Sequence, residues 1–251
     1  MENELRTTKK RRIELGQHHL IDSRIISAII HASKIEKDDV VLELGTGNGQ
    51  ITRQLSGLAQ RVYSYEVDYG LYRSAQKNCL DKPNIKIYNV DLLESNPKNF
   101  NLFISNIPYS LSKEVVKWLC LKKFRNAVIM VQDEFATKLV SHPGGKNFSA
   151  ISVIAQYCFR LELLSKVPPD AFFPTPLVMS RVIRMTPRNK TQIMNPELMM
   201  MVEQMFSNSK RKLSDLSSVS GKSIGRKKIR ETDPDTFMEF LYNSKIWSRS
   251  L

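Results

Sequence analysis

The chain has 251 residues, 41% of them hydrophobic, and 38 Lys and Arg against 25 Asp and Glu give a formal charge of +13. That composition supplies a full core and excludes global disorder, while so basic a chain points to a polyanionic partner, nucleic acid or an anionic membrane. No apolar run approaches the ~20 residues of a membrane-spanning helix, and Cys79, Cys120 and Cys158 lack CxxC spacing, which fits a reduced, cytoplasmic setting without structural zinc.

Positive charge gathers at both ends. "RTTKKRR" (Arg6–Arg12) is basic without an acid, and Lys210–Arg230 holds eight basic residues against Asp215 alone. Such runs suit backbone phosphates, and Arg11, Arg12, Lys210, Arg211 and Lys212 are the candidates to grip them. Glu2 and Glu4, with no apolar stretch behind them, read against a secretory signal or a transit peptide.

From Asp22 to Ser33 the isoleucines Ile25, Ile26, Ile29 and Ile30 recur at helical spacing, with Asp22 or Ser23 as N-cap. Strand-like and helix-like stretches then alternate. "VVLEL" (Val40–Leu44) reads as a buried strand, "QITRQLSGL" as a helix, "RVYSYEV" as a strand and "LYRSAQKNCL" as a helix. "NIKIYNV" and "NLFIS" are strands, "LSKEVVKWLC" a helix, "NAVIMVQ" a strand and "DEFATKLV" a helix. This alternation predicts βαβ units around a parallel sheet, a Rossmann-like α/β class. Two later runs, "SAISVIAQYCF" and "LVMSRVIRM", read as closing strands, antiparallel at one edge. The pattern changes near Arg188. "PELMMMVEQMF" and "PDTFMEFLYN" are helical beyond it, and Met199–Met201 reads as core filling. The division is 1–187, an α/β domain with a basic arm, and 188–251, a helical appendage too short for a large core of its own.

"LELGTGNGQIT" follows the first strand and opens a helix. Gly45, Gly47 and Gly49 are spaced G-x-G-x-G, which lets the chain turn sharply and a ligand approach the main chain. Gln50 stands where a dinucleotide fingerprint needs its third small residue, and there is no P-loop Lys-Ser/Thr pair. Glu43 before the first glycine would repel a pyrophosphate but suits a cationic ligand; S-adenosylmethionine carries a sulfonium and an ammonium. Glu66, about 20 residues on, sits where an acid accepts from a ribose diol, and Asp91 ends the third strand where it can accept from an adenine amine. Each alone could be a solvated acid; three at successive strand tips form a constellation.

At the fourth tip stands "NIPYS". The exocyclic amine of adenine is a poor nucleophile because its lone pair is delocalised into the ring. Acceptors on its N–H bonds, the Asn106 side-chain oxygen and a carbonyl of the turn fixed by Pro108, can free that lone pair. Tyr109 can stack on the flipped base and favour the developing positive charge. An Asx turn with a core tyrosine satisfies the stretch in isolation; the glycine loop and the acids favour methyl transfer.

"NIPY" resembles the N-[IL]-P-[YF] signature of S-adenosylmethionine-dependent amino methyltransferases, in the form of the ribosomal RNA adenine N6-dimethyltransferases, the KsgA and Erm group. The resemblance runs from about Gly16 to Met185: "GQHHLID" is similar to the entry motif Q-N/H-F-L, "ELGTGNGQIT" to the glycine loop, and "VPPDAFFPTPLVMSRVIRM" to P-x-x-F-x-P-x-P-x-V-x-S. It implies that Gln17 and Leu20 line the methionine end of the cofactor. Glu43, Gly45 and Gly47 would form its loop, Glu66 hold the ribose and Asp91 the adenine. Asn106, Pro108 and Tyr109 would engage the target base, with Asn106 also beside the cofactor and Phe172 stacking on the base's other face. His19 replaces the usual Phe; His18 and His19 are adjacent and point apart, so no metal is expected.

"VQDEFATKLVSHPGGKNFSAISV" is similar to the KsgA pattern, in an archaeal-like form. That implies a monomeric cytoplasmic enzyme that dimethylates two adjacent adenosines near the 3′ end of small-subunit rRNA during ribosome biogenesis, with base flipping. The alternatives are an Erm-type enzyme for large-subunit rRNA, a non-catalytic nucleic-acid binder on the same fold, and a DNA adenine or small-molecule amine methyltransferase.

Overall fold

The computed structural model describes residues 18–95, 97, 99–188, 194–207 and 228–243. Its strands are β1 (His19–Leu20), β2 (Val40–Leu44), β3 (Arg61–Tyr65), β4 (Ile85–Tyr88), β5 (Leu102–Asn106), β6 (Asn126–Gln132), β7 (Phe159–Val167), β8 (Phe172–Phe173) and β9 (Ser180–Pro187). The helices are α1 (Ser23–Ser33), α2 (Gln50–Ser56), α3 (Tyr69–Asn78), α4 (Ser112–Cys120), α5 (Asp133–Leu139), α6 (Ala150–Cys158), α7 (Pro196–Ser207) and α8 (Pro234–Asn243).

Seven strands form one sheet in the order β4-β3-β2-β5-β6-β9-β7. From β4 to β6 the pairs are parallel, and β9 runs antiparallel to β6. The chain builds outward from β2 through β3 to β4, then crosses to β5 and β6 on the other side. The order therefore reverses between β2 and β5, and open parallel sheets take ligands at the carboxyl ends of such strands. β2 and β6 are buried along nearly their whole length, as near-continuous apolar runs in a parallel sheet require. α1 packs on this sheet. Its N-cap is Asp22, whose side chain accepts from the Arg24 N–H, and Ile26 and Ile29 are buried together with Val41, Leu102, Ile104 and Val128.

One expectation is overturned. "SAISVIAQYCF" is not a strand: Ala150–Cys158 is helix α6, and the strand follows it in "FRLELLSKV". An apolar run without polar alternation does not separate a buried strand from a buried helix. The decision was local: Ser149 and Ser152 form a reciprocal capping box that satisfies the first turn.

The described residues fall into two compact units. One is drawn from the chain up to Val115, from Lys123–Asp133 and from Glu162–Thr186; the other from Val116–Lys122, from Glu134–Leu161 and from Pro187 onward. The second unit thus takes in earlier segments besides the C-terminal stretch. Inside it α6, α7 and α8 pack together around edge-on contacts of Phe206 with Phe148 and Phe237, at centroid distances of 5.9 and 5.7 Å. Met199 is buried in it, while Met200 faces out.

Candidate active site

A cleft opens at the strand reversal in the first unit. It encloses about 800 Å³ of space, mouth included, within the range of small-molecule sites. Its walls come from the loops after β2, β3, β4 and β5 and from His18 and His19. Gly45 and Gly47 form its floor with φ of +80° and +59°, the left-handed region that glycine enters without strain. A Cβ on Gly47 would come within 3.4 Å of His19 Nδ1, and one on Gly45 within 3.7 Å of the Asn106 carbonyl oxygen. The loop therefore passes close to both β1 and β5.

Glu66 and Asp91 line the cleft. The Glu66 carboxylate accepts from the Gly47 and Asp68 N–H groups, each at 2.9 Å, so the loop and the acid hold each other. Burial raises its pKa, against those same bonds, which lower it. Asp91 accepts from the Leu93 N–H at 2.8 Å through one oxygen. Both carboxylates keep acceptor capacity for a ligand. The sequence reading missed the apolar groups between them. Val67 and Val90 line the cleft and stand exposed, and Leu71 and Leu92 line it too. The signal was present in "YEVD" and "NVDLL", where an apolar residue adjoins each acid.

Glu43 lies elsewhere than expected. It is 1% exposed and absent from the cleft wall. One of its oxygens accepts from Thr52 and Ser64 hydroxyls, each at 2.6 Å, which ties α2 and β3 behind the glycine loop. Burial pushes its pKa up to about 7, with the two hydroxyls opposing and the Glu66 charge adding. It braces the loop from within the protein rather than facing a ligand.

Opposite these acids stand Asn106, Pro108 and Tyr109. The Asn106 amide nitrogen donates to the His18 carbonyl at 3.0 Å, which leaves its oxygen as the acceptor. The Pro108 carbonyl accepts from the Leu111 N–H at 2.8 Å, which pins the Ile107–Pro108 turn where it lines the cleft. Tyr109 bonds Ser180 of β9 through its hydroxyl at 2.6 Å, and its ring lies 5.6 Å from the His18 ring. Burial raises the Tyr109 pKa, so the phenol stays neutral near pH 7. His18 Nδ1 donates to the Pro174 carbonyl at 2.7 Å.

Leu20 and Phe172 are not brought to the cleft. β1 pairs antiparallel with β8 in the register His19 with Phe173 and Leu20 with Phe172. Side chains alternate along a strand. Leu20 and Phe172 therefore face the core, Phe172 only 1% exposed, while Phe173 faces out at 55%. Gln17, Arg11, Arg12, Lys210, Arg211 and Lys212 lie outside the described residues. Among the described residues no cluster of His, Cys, Asp and Glu is arranged to hold a metal, and no helix is long and apolar enough to cross a membrane.

The donor set fits S-adenosylmethionine. Two carboxylates with spare acceptor capacity, apolar side chains between them and a floor without Cβ atoms suit a nucleoside with a flexible cationic tail.

The family described as ribosomal RNA adenine dimethylase matches residues 8–234. A probable ribosomal RNA small subunit methyltransferase A of Methanococcus maripaludis is 32% identical over 252 residues, covering 98% of this chain and 94% of that one. A ribosomal RNA small subunit methyltransferase A of Thermotoga neapolitana is 32% identical over 244 residues, 94% of this chain and 92% of its own. A crystal structure of a dimethyladenosine transferase from Plasmodium falciparum superposes with a TM-score of 0.81 at 23% identity, over 90% of this chain and 97% of that chain. That last likeness is one of fold.

Proposed function

The chain belongs to the ribosomal RNA adenine dimethylase family, and from that premise we propose that it dimethylates the exocyclic amines of two adjacent adenosines near the 3′ end of small-subunit rRNA. The names of its relatives support the small subunit, in an archaeon and a bacterium alike. A cytoplasmic monomer that acts during ribosome biogenesis is part of the same reading, as is a basic grip on rRNA by Arg11, Arg12, Lys210, Arg211 and Lys212. So is the division at residue 187 into a methyltransferase domain and a helical RNA-binding appendage.

The observation that carries the chemistry is the bond from the Asn106 amide to the His18 carbonyl. An amide fixed through its nitrogen offers only its oxygen. Placed against the target amine, that oxygen and a carbonyl of the Ile107–Pro108 turn accept its N–H groups, two in the first transfer and the remaining one in the second, and turn the nitrogen lone pair out of the ring. Tyr109 holds the face of the flipped base and stabilises the positive charge that grows on it. S-adenosylmethionine, when bound, supplies an electrophilic methyl group. Glu66 would hold its ribose diol, Asp91 its adenine amine, and the Gly45–Gly47 floor its tail. After transfer the alkylated amine is acidic and releases its proton to water, so no strong base is needed. Catalysis is positioning and electrostatics.

Labelled S-adenosylmethionine, offered with unmethylated small subunits and separately with large-subunit rRNA, tests the reading. Dimethyladenosine appears in the small-subunit RNA; label confined to large-subunit rRNA moves the substrate, and no label with cofactor bound removes the enzymatic reading.

A further inference from the structure

In the first unit, four large apolar side chains stand exposed within seven residues: Phe173, Leu177, Val178 and Met179. Leu177 is exposed as fully as in an open chain, at 101%. Scattered exposed apolar residues are ordinary, whereas a contiguous group marks a contact surface. The segment Phe173–Met179 has no charged residue, in a chain of formal charge +13.

The backbone of this segment is fastened to the cleft at both ends. Phe173 pairs with His19, and the Pro174 carbonyl accepts from His18. At the far end the Met179 carbonyl accepts from the Asp133 N–H at 2.9 Å, and Ser180 bonds the Tyr109 hydroxyl. Pro174 and Pro176 fix φ between those anchors. Pro174 and Pro176 are buried, so the loop is packed down and stiff, presents Phe173 and Leu177–Met179 outward, and is bonded at both ends to residues that would receive the base.

We propose that Phe173–Met179 is an apolar wedge that contacts the base beside the target adenosine and keeps the stack open while that adenosine occupies the cleft. The proposal rests on the RNA-methylating function above. Extruding a base leaves its neighbours with bare faces, and proteins that distort nucleic acids cover such faces with inserted apolar side chains. The occupant is a base rather than a phosphate because the loop offers no charge. It is RNA rather than protein or lipid because the ends of the loop bond His18, His19 and Tyr109, which line the cleft that would receive the base.

The test uses the full chain, the exposed-site variants Leu177→Gln and Val178→Gln, and two small-subunit rRNA hairpins. One is intact and carries 2-aminopurine next to the target; in the other the neighbouring nucleotide is abasic, so no stack has to open. Leu177→Gln is expected to lower kcat/KM on the intact hairpin about tenfold and to lose the 2-aminopurine fluorescence rise. It leaves the abasic hairpin, S-adenosylmethionine affinity and the thermal midpoint unchanged. Unchanged kcat/KM on both hairpins overturns the wedge, and so does an equal loss on both, which marks a general contact. Methyl transfer to unmethylated small subunits is measured in parallel: a fluorescence rise without that transfer keeps the wedge and removes the function, and transfer without a rise keeps the function and overturns the wedge.

Discussion

On the wall proposed for the cofactor the carboxylates of Glu66 and Asp91 are held by main-chain N–H groups of the strand-end loops. On the wall proposed for the base the side chains are held by partners far along the chain: Asn106 by His18, 88 positions away, and Tyr109 by Ser180, 71 positions away. The first wall is a product of neighbouring strand-end loops, its bonds spanning 2 to 19 positions. The second exists only when three segments meet. A local wall tolerates change elsewhere in the protein, whereas an assembled wall transmits it, so the two should fail differently.

The largest difference is expected at Asn106. Asn106→Ala removes the acceptor and should lower methyl transfer about a thousandfold, with S-adenosylmethionine affinity held within a few-fold. Comparable loss of both would mean that the walls are not separable. Glu43, behind the cofactor wall, gives the next effect, on stability. Its pKa is raised from 4.5 to about 7, so the folded state binds this proton more tightly than the unfolded chain. Its stabilising contribution is full below about pH 4.5 and is lost as pH rises through about 7. Relative to Glu43→Gln, the cofactor-free wild type should lose about 3 kcal/mol between pH 4.5 and 8. Urea midpoints at the two pH values measure this, and parallel losses in both proteins would show that Glu43 does not titrate there.

Smaller effects discriminate more finely. Glu66→Gln should raise the KM for S-adenosylmethionine tenfold to about a hundredfold, as expected for a bond to a charged group, and leave the KM for RNA in place. A rise confined to RNA would reverse the assignment of the walls. Ser180→Ala should cost about threefold to tenfold in kcat/KM for RNA. It should add nothing to Tyr109→Phe, since both remove the same bond; additive losses would show that Ser180 acts by another route.

The same division explains what the sequence made legible. "VVLEL" and "NAVIMVQ" matched β2 and β6 residue for residue because a parallel strand buried on both faces leaves a continuous apolar run. The glycine loop with Glu66 and Asp91 was readable because the wall is local. Glu43 was placed at the right tip but on the wrong side of it, since a strand end does not tell whether a carboxylate faces the cleft or the core. Phe172 was assigned to the base by the resemblance alone; which way it faces depends on the two-residue register of β8 with β1, which no spacing within "AFFPTP" encodes. "SAISVIAQYCF" misled through its β-branched residues, and the Ser149–Ser152 cap was the available correction.

The ladder between β1 and β8 also sets a timetable. His18, which aims Asn106, bonds Pro174, 156 positions further along the chain. Closing so long a loop is costly, and contacts of such separation form slowly. During synthesis the glycine loop can fold as soon as the first strands have emerged, yet the His18 that holds the Asn106 amide is not anchored until the segment after Val167 arrives. A ribosome making this protein would thus release a cofactor pocket early and a working enzyme only near the end.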